Sequence, residues 1–145
     1  MAMPISSEAV DVVLEAFRAV EQRDHARLEA LCHPEVTFHW PQSLVDSRPG
    51  CSWDQVWDPL QPTERERAMS PRLIAASDQE VVVLWRQRGL APGGERFECD
   101  VLGLYEVRDH KFARAQMFYY DTEVVLRFLE NADAERGSAA TSRNP

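Results

Sequence analysis

At 145 residues the chain has the length of one domain, and such a chain buries roughly 70% of its unfolded surface, enough for a core and a small cavity. A net charge of −8, from 16 Lys and Arg against 24 Asp and Glu, argues against a nucleic-acid binder, which needs clustered Lys and Arg. The three cysteines, Cys32, Cys51 and Cys99, are odd in number, widely spaced and form no Cys-x-x-Cys, which argues against a disulfide framework or a zinc site.

Reduced thiols point to a cytoplasmic protein. No apolar run has the length of a signal segment or a membrane span, so no membrane partner is expected.

Taken in order, Ser6-Ser7-Glu8 opens a helix, with a Ser cap and acidic residues at its positive end. Val10, Val13, Leu14, Phe17 and Val20 recur at helical spacing and give it one apolar stripe. Asp24 caps a second helix carrying Leu28, Leu31 and Cys32, which must stop near His33 because Pro34 follows. Val36 to Trp40 is β-branched and aromatic between two prolines and reads as a strand.

Gln42 to Cys51 reads as a loop over a pocket mouth. Ser52 then caps a third helix whose inner face holds Trp53, Val56, Trp57 and Leu60. Strands follow at Arg72–Ala76 and Glu80–Arg88, with a turn around Ala91-Pro92-Gly93-Gly94. Arg96–Val107 and Phe112–Tyr120 form a long hairpin about a tight turn at Asp109-His110, which requires a residue at positive φ. Asp121 caps a last helix bearing Val124, Val125, Phe128 and Leu129. The predicted domain spans residues 1–130, and residues 131–145, small and polar, read as a disordered tail. Helices first and antiparallel hairpins later mean an α+β fold with the helices on one face of the sheet.

This order of elements resembles the nuclear-transport-factor-two-like superfamily, and more narrowly the SnoaL-like polyketide cyclase and ketosteroid-isomerase-related group. The matching stretches are His33-Pro34-Glu35-Val36, Glu95-Arg96-Phe97, Tyr105-Glu106-Val107-Arg108-Asp109 with Lys111-Phe112, and Phe118-Tyr119-Tyr120-Asp121-Thr122. The resemblance implies a cone-shaped, SnoaL-like or cystatin-like half-barrel: a curved antiparallel sheet, three N-terminal helices and a C-terminal helix. It also implies an apolar cup and a homodimer. It does not fix a reaction, because this fold hosts isomerases, cyclases, dehydratases, hydrolases and non-enzymes.

Two chemistries of relatives are ruled out by substitution. The positions paired with the polar groups of ketosteroid isomerases are Phe17, Trp40 and Gly103, so neither the base nor the oxyanion donors are present. Against limonene epoxide hydrolases, Arg86 matches the Arg, but the two Asp positions fall at Arg88 and at Met117 or Phe118.

Strand alternation sorts the remaining candidates. With Gly103 inward, Phe97, Cys99, Val101 and Tyr105 face the cup, and Glu98, Asp100, Leu102, Leu104 and Glu106 face outward. Outward Leu102 and Leu104 favour a dimer through the outer face. The expected lining is Phe17, Phe38, Trp40, Trp53, Trp57, Val101, Tyr105 and Tyr119, with Arg86 as a further substrate-binding candidate. Acid–base candidates are His39, Asp100 and Asp121. His39 serves only if the register slips by one, Asp100 only if a bulge turns it inward, and Asp121 only if it is more than a cap. Tyr105 is either a satisfied core aromatic or a substrate donor, and a bulge at Tyr119-Tyr120 decides which of the two lines the cup.

Three functions remain open: cofactor-independent isomerisation, cyclisation or hydration of a ring-containing small molecule, non-catalytic binding of such a molecule, and a pure dimerisation module with a filled cavity. No His-x-His or Glu-x-x-His spacing offers a metal site, and no cofactor is expected.

Overall fold

The computed structural model describes residues 7–47 and 61–142. Helix α1 spans Glu8–Glu21, and Ser7 caps it by accepting from the Val10 amide. Its stripe is buried through Val10, Val13 and Phe17. Arg23 turns the chain at φ 53°, and Asp24 caps α2, His25–Leu31, by accepting from the Arg27 amide at 3.0 Å. The sequence reading of both helices and their caps holds, except that α2 ends at Leu31 and Cys32 already belongs to the following strand.

Strand β1 runs Cys32–His39, starting earlier than Val36. Next comes α3, Gln42–Ser47, where the sequence reads as a loop. The correction has a local cause. Pro41 pre-sets a helical φ at the helix entry, and its carbonyl accepts from the amides of Leu44 and Val45 at 3.0 and 3.2 Å. Leu44 is then buried, which holds the turn in place. The helix expected at Ser52–Trp57 lies outside the described residues. A four-residue helix, α4 (Glu64–Arg67), which the sequence reading missed, leads into the buried Met69.

Strands β2 (Arg72–Ala76), β3 (Glu80–Leu90), β4 (Arg96–Arg108) and β5 (Lys111–Tyr119) complete a five-stranded sheet of order β1-β5-β4-β3-β2. It is antiparallel from β2 to β5, and β1 alone runs parallel to β5. The β4–β5 turn places Asp109 and His110 at φ 53° and 62°, the paired positive values of a two-residue hairpin turn that suits the sheet's twist.

Register fixes the faces. Val101 pairs with Tyr119 without a shift, so no bulge intervenes there. The bulge lies at the other end, between Glu106 and Val107, where Ala113 is the extra residue and is buried beside Phe112. Tyr119 therefore faces inward with Val101, whereas Tyr120 is 89% exposed.

Helix α5 runs Thr122–Ser142, well past Asn131, where the sequence reading starts the tail. Two contacts hold the extension: Ala132 is fully buried, and the Glu135 carboxylate accepts from the Gly93 amide at 2.7 Å. The core lies between the inward face of the sheet and the stripes of α1 and α5, where Phe97 stacks on Phe128 at 5.2 Å.

Candidate functional site

The inward sheet face and α1 do not close on each other completely. Between them lies a cavity of about 440 Å³. Its floor is built by alternate residues of β3, β4 and β5, namely Trp85, Tyr105, Phe112, Ala115 and Met117. Phe17 and Val20 of α1 form one wall, with Phe38 and Trp40 opposite. The exposed α1–α2 turn brings Arg23, Asp24 and His25 to the mouth, with Glu29 beside them.

Two arginines tie the mouth together. Arg23 donates to the Gln61 carbonyl at 3.0 Å, and Arg67 donates to the carbonyls of Glu21 and Pro62 at 3.1 and 3.3 Å. Helix α4 is thereby fastened to the end of α1. No feature of the local sequence announces this link, because the partners are far apart in the chain.

Tyr105 brings a phenol to the floor, beside the indole of Trp85. Phe17 meets its ring edge-on at 5.9 Å and 88°, and Phe112 lies against it at 5.2 Å. Phe17 also meets Trp85 edge-on at 6.0 Å. Burial removes the water that a phenolate needs and pushes the Tyr105 hydroxyl well above the ordinary tyrosine range, an effect that the adjacent Trp85 indole eases. At neutral pH it is a donor, not a base.

The sequence-nominated lining separates into three groups. Phe17, Phe38, Trp40 and Tyr105 line the cavity. Val101 is buried in the core below the floor, and Tyr119 packs edge-on against Trp40 at 6.4 Å rather than on the cavity. Burial, followed by its neighbours Cys99 and Tyr105, raises the Tyr119 hydroxyl as well. Trp53 and Trp57 lie outside the described residues.

The nominated acid–base groups are not brought together. His39 is exposed on β1, its Nε2 3.1 Å from the Thr37 hydroxyl. Asp100 points to the outer face and accepts from Arg86 at 2.9 Å, so no bulge turns it inward. Asp121 accepts from the Val124 amide at 3.2 Å as the cap of α5. Arg86, nominated for substrate, also lies on the outer face and bridges Asp100 and Glu98. Its bond to Asp100 raises its already high pKa. Burial pushes Glu98 up, but its bonds to Arg86 and Arg88 outweigh that and hold it below the usual carboxylate range.

Trp85, Met69 and Met117 are cavity residues that the sequence reading missed. Trp85 was within reach of it: counting alternately from Val81 places it inward, opposite Val101. Two thiols sit near this region. Cys99 is pushed up to about 11 by burial, and Cys32, on the cavity, is raised by burial and by Glu29. Among the described residues no group of three or more His, Cys, Asp or Glu is placed to hold a metal ion, and no helix is long and apolar enough to cross a membrane.

The family described as the SnoaL-like domain matches residues 13–115. No curated protein matches the chain. Among solved structures, TerC co-crystallised with polyporic acid is 17% identical, with a TM-score of 0.63 over 85% of this chain and 98% of that one. An NTF2-like protein from Burkholderia pseudomallei is 18% identical, with a TM-score of 0.65 over 86% and 98%. A cystatin-like-fold protein from Xanthomonas campestris is 19% identical, with a TM-score of 0.61 over 83% and 97%. At these identities the likeness is one of fold.

Proposed function

The chain belongs to the family of SnoaL-like domains, and on that premise we propose that its cup binds a largely apolar, ring-containing small molecule. The observation that carries this reading is the cavity of about 440 Å³ walled by Phe17, Phe38, Trp40, Trp85 and Met117. Such a volume lies in the range of small-molecule sites, and an aromatic wall stabilises a flat apolar ligand by burial and ring contact. That TerC, of the same fold, crystallises with polyporic acid is consistent with it. The test is a thermal-shift and tryptophan-fluorescence screen of bicyclic and tricyclic compounds. Saturable binding that Phe17→Asp or Trp40→Asp abolishes supports the reading, and an absence of binding across the screen refutes it.

A second reading adds turnover: cofactor-independent isomerisation, cyclisation or hydration. One observation favours it. Asp24, His25 and Glu29 are titratable and line the mouth of the same cavity as the Tyr105 donor. His39, Asp100 and Asp121 are each engaged elsewhere, which moves the search for a base to the α1–α2 turn. Deuterium exchange into a bound ring ketone at a rate above buffer supports turnover. Binding without exchange leaves the non-catalytic alternative.

The reading includes a homodimer through the outer sheet face. Leu84, Leu102 and Phe118 form one row across three strands there, and Leu102 and Phe118 are 40% and 49% exposed. A cytoplasmic location accords with the separated, reduced cysteines Cys32 and Cys99.

A further inference from the structure

We infer that the mouth of the cup takes a carboxylate, so that the preferred ligand is a ring-bearing acid whose anionic end meets the Arg67 guanidinium and the Gln61 side-chain amide. This inference rests on the cup being a ligand site and names the chemical class that the site selects.

It begins with charge. In a chain of net charge −8, two arginines, Arg23 and Arg67, border the opening of one apolar cavity. Arg67 is half-buried on α4. Its Nε donates to the Glu21 carbonyl at 3.1 Å and its Nη1 to the Pro62 carbonyl at 3.3 Å. Carbonyls fix the direction of a guanidinium but leave its charge uncancelled. Arg86 on the outer face is the contrast, since it meets the carboxylates of Glu98 and Asp100. Among the described residues no carboxylate pairs with Arg67 and no bond engages its Nη2. Asp24 and Glu29 also border the mouth. The Asp24 carboxylate is engaged as the cap of α2, and Glu29 acts on the Cys32 thiol.

Gln61 supplies the second observation. It lines the cavity and is 3% exposed, yet its Nε2 is buried without a hydrogen-bond partner among the described residues. A buried amide nitrogen left so costs stability, and native chains rarely carry one without a use. The backbone beneath it is held at two consecutive carbonyls, that of Gln61 by Arg23 at 3.0 Å and that of Pro62 by Arg67. The terminal amide stays adjustable, because its last torsion is broad. It can turn its N–H groups to an oxygen in the cavity while the backbone stays fixed. Arg67 holds the residue next to Gln61, so guanidinium and amide share one stretch of the rim. A carboxylate has two oxygens to divide between them. Together a cation and a neutral donor replace the hydration that an anion gives up on entry.

The experiment titrates three probes of one ring system by calorimetry: 2-naphthoate, its neutral isostere 2-naphthamide, and 2-methylnaphthalene. The wild-type protein binds naphthoate roughly tenfold more tightly than naphthamide, and molar salt narrows that ratio. Arg67→Met removes most of the preference, whereas Arg67→Lys keeps the charge and much of the preference. Gln61→Leu weakens naphthoate by about three- to tenfold, leaves 2-methylnaphthalene unchanged and raises the melting temperature, because the unpaired amide is gone. A merely structural glutamine would lose stability instead. Equal affinity for naphthoate and naphthamide in the wild type overturns the inference, as does a ratio that Arg67→Met leaves unchanged. Binding of 2-methylnaphthalene alone then leaves the cup as an apolar site. If none of the three binds the wild-type protein, the cup reading itself falls and this inference with it. Binding of 2-methylnaphthalene to each variant establishes that the variant is folded. Should Arg67→Met not fold, the wild-type ratio and Gln61→Leu decide, and undiminished naphthoate binding in Gln61→Leu overturns the inference.

Discussion

The phenol of Tyr105 fills the space that a side chain at Gly103 would occupy. The two residues are thus one structural unit, a gap and the ring that closes it. A buried phenol thus reaches the place of a missing side chain from two residues further along the strand.

Gly103→Ala sets a methyl group against the ring carbons as well as the hydroxyl, so the phenol must move. The expected loss is about 1–3 kcal/mol in urea unfolding, as for overpacked cores. Tyr105→Ala costs stability by itself, but in that background Gly103→Ala adds much less, because the opposing ring is gone. Equal costs in both backgrounds would show that the pair is not coupled.

The outer-face cluster of Arg86, Asp100 and Glu98 behaves as surface electrostatics. The Arg86 and Asp100 side chains are 38% and 55% exposed, so Asp100→Asn lowers stability by less than about 1 kcal/mol, and molar salt erases the difference. Ligand affinity in the cup is unchanged. A large loss of binding or turnover in Asp100→Asn would return this carboxylate to the site.

Alkaline pH loosens the fold. The folded value of about 11 for Cys99 lies above its reference of 9.0, so the native state holds that proton more tightly than the unfolded chain does. The corresponding stability is complete below about pH 9 and is lost as pH rises toward 11, with Tyr105 and Tyr119 adding in the same sense above about pH 10. Urea midpoints should be flat from neutrality to about pH 8.5 and then fall. Cys99→Ala should flatten the first part of that fall.

Leu102→Asp and Phe118→Asp place charge in the exposed row on the outer face. Sedimentation velocity should show a wild-type dimer and monomeric variants that keep their far-ultraviolet circular dichroism. A monomeric wild type removes the dimer from the proposal.

The features legible in the sequence are those with a short period or a local cause. Alternation along β4 places Phe97, Cys99, Val101 and Tyr105 inward and Asp100 and Leu102 outward, as observed. Ser7, Asp24 and Asp121 are legible as caps because each acts on an amide three residues away. The α3 turn was missed because prolines at close spacing suggest a loop, although Pro41 begins the helix. The site was legible only in part. Phe17, Phe38, Trp40 and Tyr105 follow from face assignment. The position of the Tyr105 ring depends on a missing β-carbon and on rings from α1 and β5, and the Arg23–Gln61 link depends on a fold that must already exist.

Among the described residues, strand β1, near the start of the chain, pairs only with β5, near its end. On a ribosome, α1, α2 and β1 therefore emerge with no sheet to join, and the apolar sides of Phe38 and Trp40 wait for Ala115 and its neighbours to be made. The hairpin of β4 and β5 can form locally, but joining β1 to it closes a loop most of a domain long, an entropically slow step. The cup thus comes into being late in synthesis, and a nascent chain stalled before β5 leaves its aromatic wall uncovered and open to aggregation.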